Sequence, residues 1–380
     1  MIELQEVKTG RQRKEFVSFT NNLYRDNPNY MPGVFSDSLA TITPEKNKAF
    51  NFCEARFWLA KRDGKTVGRI GAIINHRANE KWDKKQMRFW NVDFIDDAEV
   101  SAALLGAVEE WAREKGCNEI VGPMGFTDLD LEGMLVDGFD DRGIFVTYYN
   151  HPYYQTHLAN LGYEKDVDWV EHMLNCPTEE DCAKLIRISD AMLKRYNLHI
   201  KEIKSSKEMN AVAADVMKMI NTAYKDLYGT SELDEDQQAA YVKSFLPVID
   251  KRTIVALYDE NEEMVGFTVA IADISKALKK SDGKLFPIGW ARLLKALKKN
   301  DEFIGLLIGM LPEYRNKGVV TILMAGLLYG FLKAGAKTIR MCPMLEDNIK
   351  VLGLMKVVES RVYKRRRSFV KHIGESYEEN

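Results

Sequence analysis

Cysteine is scarce in this chain: five among 380 residues, namely Cys53, Cys117, Cys176, Cys182 and Cys342. No two of them form a Cys-x-x-Cys pair, so neither a zinc cage nor a disulfide framework is indicated. The six histidines show no ligand spacing typical of zinc. No metal is therefore expected, and the odd number of thiols suits a reducing cytoplasm. Long apolar runs are also missing. None approaches the ~20 residues that span a bilayer, and the polar stretch 1–16 lacks the apolar core of a signal peptide. Net charge is nearly absent, at −2. Such a balance gives no reason to expect nucleic acid or a membrane as the main partner. Lys364-Arg365-Arg366-Arg367 is the local exception. On a strand its cations alternate between faces, so it reads first as a solvated strand end.

Hydrophobic residues at 46% and charged residues at 29% describe an ordinary globular protein. The length suggests two domains, and an internal repeat points the same way. The strand-then-helix pattern of 2–24 returns at 199–228. A hairpin at 56–73, turning at Asp63-Gly64, returns at 253–270, turning at 259–262. Both return strands open on Val-Gly: Val67-Gly68 and Val265-Gly266. The strand 88–94 and the helix 98–115 pair with 303–310 and 319–334. Each helix is followed by a glycine, Gly116 or Gly335, a normal stop. A short strand then runs to a proline, Pro123 or Pro343. Each half closes with one more helix and strand. Helical spacing over 178–197 marks a linker. Two segments stand outside the repeat: 126–145, rich in Asp and Gly, and 274–299, with Phe286-Pro287-Ile288-Gly289-Trp290 before a basic helix.

The stretch 303–334 carries the chemistry. An apolar strand ends at Leu311-Pro312, because proline offers no N–H to a sheet. The polar turn Glu313-Tyr314-Arg315-Asn316-Lys317-Gly318 follows. Val319, Ile322, Leu323, Leu327, Leu328, Phe331 and Leu332 then make a helical apolar face. The first N–H groups of a helix lack internal partners, and its dipole favours an anion there. Arg315 and Lys317 add cations, and Gly318 lets backbone approach closely. A phosphate site and a solvated turn before a core helix are about equally compatible with spacing alone.

This run resembles the acetyl-CoA-binding signature of the GNAT superfamily of N-acetyltransferases. That signature is Arg or Gln, two residues, Gly, one residue, then Gly or Ala. Arg315 and Gly318 match, and Val320 stands where the second small residue is usual. The order strand, helices, hairpin, strand, helix, strand, helix, strand is the GNAT order, and it occurs twice. The resemblance implies an α/β (α+β) chain of two tandem GNAT-like domains, each a mixed, mainly antiparallel sheet flanked by helices. Residues 1–176 form the first domain, 177–198 the linking helix and 199–380 the second domain. It further implies acetyl-CoA, or another acyl-CoA, as co-substrate. Backbone groups of Met310 and Leu311 would pair with the pantetheine arm. Backbone N–H groups of Arg315, Asn316, Lys317, Gly318, Val319 and Val320 would cradle the pyrophosphate. Asn348 would lie near the thioester, although it is equally a good helix cap.

The first domain has Ile95-Asp96-Asp97-Ala98-Glu99 in place of that turn. Acids there can cap a helix, but they would repel pyrophosphate. One CoA site, in the second domain, is therefore expected. Many GNAT members protonate the leaving thiolate with a tyrosine on the last helix, and here Met355 occupies that place. A thioether cannot donate a proton, so no catalytic residue is assigned. Tyr224, Tyr228 and Trp290 are candidates to line an acceptor pocket, since aromatics give large contact area. Core packing explains them as readily. The acids Asp128, Asp130, Glu132, Asp137, Asp140 and Asp141 read first as a solvated loop, and His151 and His157 as packing or surface residues. The expected function is acyl-CoA-dependent N-acyl transfer to an amine or amino-acid-like acceptor. A non-catalytic CoA-binding regulator and a Fem-type aminoacyl-tRNA-dependent transferase are the alternatives.

Overall fold

The computed structural model describes residues 1–356 and 358–374. In the first half, β1 (Glu3–Glu6), α1 (Gly10–Leu23) and α2 (Phe35–Thr41) lead to the hairpin β2 (Cys53–Arg62) and β3 (Lys65–Asn75). After α3 (His76–Trp82) come β4 (Gln86–Phe94), α4 (Ala98–Glu114), β5 (Glu119–Gly122) and β6 (Met134–Asp137). Helix α5 (Tyr153–Asn160) and strand β7 (Glu164–Asn175) close the half, and α6 (Glu179–Tyr196) links it onward. The second half opens with β8 (His199–Ile200), α7 (Ser206–Ala223), α8 (Glu235–Phe245) and the hairpin β9 (Ile249–Tyr258) and β10 (Met264–Ala272). Next are α9 (Ser275–Lys279), α10 (Gly289–Lys298), β11 (Glu302–Met310), α11 (Val320–Ala334) and β12 (Thr338–Met341). The chain ends with β13 (Met344–Leu345), α12 (Ile349–Met355) and β14 (Ser360–His372).

Local chemistry sets these boundaries. Asp63 and Gly64 turn the first hairpin with φ of 52° and 75°, as a tight two-residue loop requires. Helices α1 and α7 open on capping boxes, Thr9 with Gln12 and Ser205 with Glu208. Gly335, at φ 75°, ends α11 in the left-handed region.

By packing, the chain forms two compact units. The first holds Met1–Val170, Ser275–Trp290 and the chain from Tyr363; the second holds Glu171–Ile274 and Ala291–Val362. The first unit's sheet runs β1-β2-β3-β4-β5-β14, with only β4-β5 parallel. The second unit's runs β8-β9-β10-β11-β12-β7, with only β11-β12 parallel. Each is thus a mixed, mainly antiparallel sheet flanked by helices. The closing strands are exchanged. Met173, Leu174 and Asn175 of β7 pair with Arg340, Ile339 and Thr338 of β12. Phe369 to His372 of β14 pair with Gly122 back to Glu119 of β5.

Each unit has its own core. In the first, Val100, Leu104, Val108 and Trp111 of α4 meet Ile70, Phe89 and Phe94. In the second, Ile322, Leu323, Leu327 and Phe331 of α11 meet Val255, Leu257, Phe303 and Ile339. Helix α11 lies close on β9: a Cβ at Gly330 would stand 2.0 Å from the Arg252 carbonyl.

Of the two segments outside the repeat, 126–145 and the stretch 275–290 belong to the first unit, while 291–299 belongs to the second. Phe145 N donates to Ser275 Oγ at 2.9 Å, and Phe35 N donates to the Gly283 carbonyl at 2.9 Å. Lys279 Nζ donates to the carbonyls of Asn27 and Tyr30. The basic run differs from the solvated strand end expected of it. Lys364 and Arg366 are buried. Lys364 donates to the carbonyls of Gly138 and Asp141, at 2.6 and 2.7 Å, and Arg366 to that of Tyr148 at 2.7 Å. On the other face, Arg365 and Arg367 grip Asp168 at 3.2 and 2.8 Å. The alternation along the strand holds. Lys364 and Arg366 are enclosed and organise the Asp-rich segment, while Arg365 and Arg367 stay partly exposed on Asp168.

Candidate functional site

In the second unit, β11 keeps β10 beside it as far as Met310, but its pairing with β12 ends at Gly305 with Met341. Leu306 is an extra residue, since Val269 faces Leu307 while Ala270 faces Gly305. Beyond Gly305 the strand is therefore parted from its parallel neighbour. It leads to a single 3-10 turn, Pro312–Tyr314, and then to Gly318 at φ 74°. A Cβ there would meet nothing within 4 Å, so glycine answers the left-handed backbone and not crowding. No side chain caps α11. Among the described residues, the N–H groups of Gly318, Val319 and Val320 find no acceptor in the chain. The result is an open, uncapped helix start carrying unmatched donors.

The candidate residues divide by place. Met310 is buried at the strand end, and Leu311 N donates to the Val265 carbonyl at 3.0 Å. Arg315 braces the turn: Nε donates to the Met310 carbonyl at 3.2 Å and Nη2 to the Ala223 carbonyl at 2.8 Å. Tyr224 OH donates to the Ile308 carbonyl at 3.1 Å, which ties the end of α7 to the bulged part of β11. Tyr228 is half-buried a few residues on. Asn316, Lys317 and Gly318 are exposed, and the Lys317 ammonium sits 5.0 Å from the Tyr314 ring centre. Val319 is fully buried, so only its backbone is available. Val320 is half-buried and packs against the second core. Asn348 accepts from Val351 N at 3.3 Å as the cap of α12. Met355 is buried. Trp290 falls in the first unit, 49% exposed, with Nε1 donating to the Pro287 carbonyl at 3.0 Å.

The corresponding place in the first unit is filled. The Asp97 carboxylate accepts from the N–H groups of Glu99 and Val100 at the start of α4. Arg62 bonds Asp97 at 2.7 Å and is the main cause that its carboxyl titrates below the ordinary range. His157 bridges Asp96 at 2.9 Å and Ser101 Oγ at 2.7 Å, over the same helix start. Here too the middle strand bulges, at Asn91 with φ 47°, and leaves β5 after Arg88. The donors freed by that parting are taken by phenols. Asn91 N donates to Tyr148 OH and Phe94 N to Tyr154 OH, each at 2.9 Å. Tyr154 OH and Tyr24 OH lie 2.7 Å apart, and Tyr24 OH donates to Asp93 at 3.0 Å. Asp93 is buried against Arg69 at 2.7 Å. Burial raises the Tyr24, Tyr148 and Tyr154 phenols well above their usual range, so they remain protonated donors.

Asp128, Asp130 and Glu132 were expected to form a solvated loop. Each is half-buried. Desolvation raises all three, with Asp130 at about 6. The acids were noticed in the sequence but not their desolvation, and the tyrosine network was missed altogether. The paired phenols Tyr148-Tyr149 and Tyr153-Tyr154 were a signal that could have found the network.

The fold is that of tandem GNAT proteins. A tandem GNAT protein from the clavulanic acid biosynthesis pathway superposes with a TM-score of 0.56 at 12% identity, covering 98% of this chain and 99% of that one. A GCN5-related N-acetyltransferase from Sphaerobacter thermophilus superposes with a TM-score of 0.51 at 9% identity, over 98% and 95%. No family model matches the chain. By sequence, it is similar to protein YghO of Escherichia coli (strain K12), 26% identical over 367 residues, which are 95% of this chain and 93% of YghO. It is also similar to the bacterial ceramide synthase of Caulobacter vibrioides, 27% identical over 296 residues, 77% of this chain and 75% of that protein.

Proposed function

We propose that this chain is an acyl-CoA-dependent N-acyltransferase whose one CoA site is the turn 310–320 of the second unit. The observation that carries the reading is the contrast between two equivalent helix starts. One is uncapped and glycine-turned, with Gly318 at φ 74°. The other is closed by its own aspartate. In this reading the acyl-CoA pyrophosphate accepts from the free N–H groups at Gly318, Val319 and Val320. The pantetheine arm lies along the parted edge of β11, and Asn348 stands near the thioester. The amine lone pair attacks the thioester carbon, the C–S bond breaks, the nitrogen gives up a proton, and the thiolate takes one. Tyr224 and Tyr228 line the acceptor side, and a location in the cytoplasm goes with the five free thiols.

The acceptor is an amine. The resemblance to a ceramide synthase favours a long-chain amino alcohol that receives a fatty acyl group, over a polar amino acid. The test is calorimetry with acetyl-CoA and with a long-chain acyl-CoA, followed by mass spectrometry of products from short and long amines. One site per chain is expected, and Gly318→Glu abolishes it by placing a carboxylate at the anion position. Two equivalent sites, or unchanged binding in that variant, would overturn the assignment. The buried thioether of Met355 favours a second reading, a CoA-binding regulator without turnover. Tight CoA binding with no product from any amine would select it.

A further inference from the structure

Among the described residues, twelve large apolar side chains stand exposed, and four of them fall within 286–294: Phe286 at 80%, Ile288 at 58%, Trp290 at 49% and Leu294 at 50%. Around them, 283–300 carries five cations, Lys284, Arg292, Lys295, Lys298 and Lys299, all exposed, and no acid. The chain as a whole has a net charge of −2, so this concentration is local. Trp290 and Leu294 are one helical turn apart on α10 and share a side. Leu293, Ala296 and Leu297 are half-buried, while Arg292, Lys295, Lys298 and Lys299 remain exposed.

We infer that 284–299 is an interfacial anchor that lays Phe286, Ile288, Trp290 and Leu294 into the surface of an anionic lipid bilayer. Its occupant must be apolar and negatively charged at once. A bilayer bearing anionic headgroups offers both, with acyl chains beneath the phosphates. The apolar side chains are about half exposed or more, which suits a deformable partner. Tryptophan is at home at the headgroup level, and lysine and arginine keep their charges in the phosphate layer while their stems lie on apolar surface. Among the described residues no helix is long and apolar enough to cross a membrane, so contact is from one side. The expectation of no membrane partner rested on net charge and on missing spans, and neither reports on a short amphipathic patch. The inference does not depend on CoA binding.

The test is sedimentation of the full chain with vesicles of mixed phosphatidylglycerol and phosphatidylcholine, and with phosphatidylcholine alone. The wild type pellets with the anionic vesicles, and added salt releases it. Phe286→Asp with Leu294→Asp reduces the bound fraction at least tenfold, and each of Lys295→Glu and Lys298→Glu by roughly fivefold. Circular dichroism confirms that the variants are folded, which their exposed positions favour. The inference is overturned if the wild type stays in solution at low salt, or if the variants pellet as it does. A dimer in the ultracentrifuge that Phe286→Asp abolishes, without vesicle binding, would assign the same face to a second copy and overturn it as well.

Discussion

Gly318 is glycine for the sake of its backbone. With open space where a Cβ would stand, Gly318→Ala meets only the cost of the left-handed region, about 1 kcal/mol. A fall in melting temperature with CoA affinity largely kept is the expected result, in contrast to Gly318→Glu. Asp130 is held near a pKa of about 6, chiefly by desolvation, so the folded chain prefers its protonated form. The stability this group contributes is full below its unfolded pKa and is lost as pH rises through 6. Asp130→Asn mimics the protonated group. It leaves stability nearly unchanged near about pH 4 and raises it by about 3 kcal/mol near about pH 8. Urea unfolding at the two pH values checks this. None of that was legible in the sequence. The one-letter run of acids is the same whether water or protein surrounds it, and only the desolvation that the fold imposes on Asp130 decides.

At the level of elements, α4 is fixed at its start by the Asp97 cap. Asp97→Ala removes the cap and the bond to Arg62 together, and is expected to cost about 1 kcal/mol by thermal melting. It is also expected to leave a single CoA site in calorimetry, because Tyr148 and Tyr154 still occupy the donors of β4. The hairpins and the two long helices were readable in advance. The Asp63-Gly64 turn, the apolar face of 319–332 and the stopping glycines are local signals, and local geometry obeys them. The basic run was readable only in part. Its alternation was visible, but that Gly138, Asp141 and Tyr148 would present carbonyls to Lys364 and Arg366 depends on a loop more than 200 residues earlier.

At the level of the whole molecule, the repeat was legible and the packing partition was not. Two copies of one strand order look alike in sequence whichever sheet the last strand joins. Here β14 completes the first unit and the end of β7 completes the second. Residues 1–176 and 199–380, expressed separately, would each lack a partner strand. Neither fragment is expected to melt cooperatively by circular dichroism, and mixing or co-expressing the two restores a transition. The arrangement also has a meaning in time. Protein is made from its first residue, and most domains close as they leave the ribosome. This one cannot close its first unit until β14 has been made, more than 200 residues after β5, and until then the edge of β5 waits unpaired. A stop codon anywhere before β14 therefore leaves the unit begun by β1 unfinished.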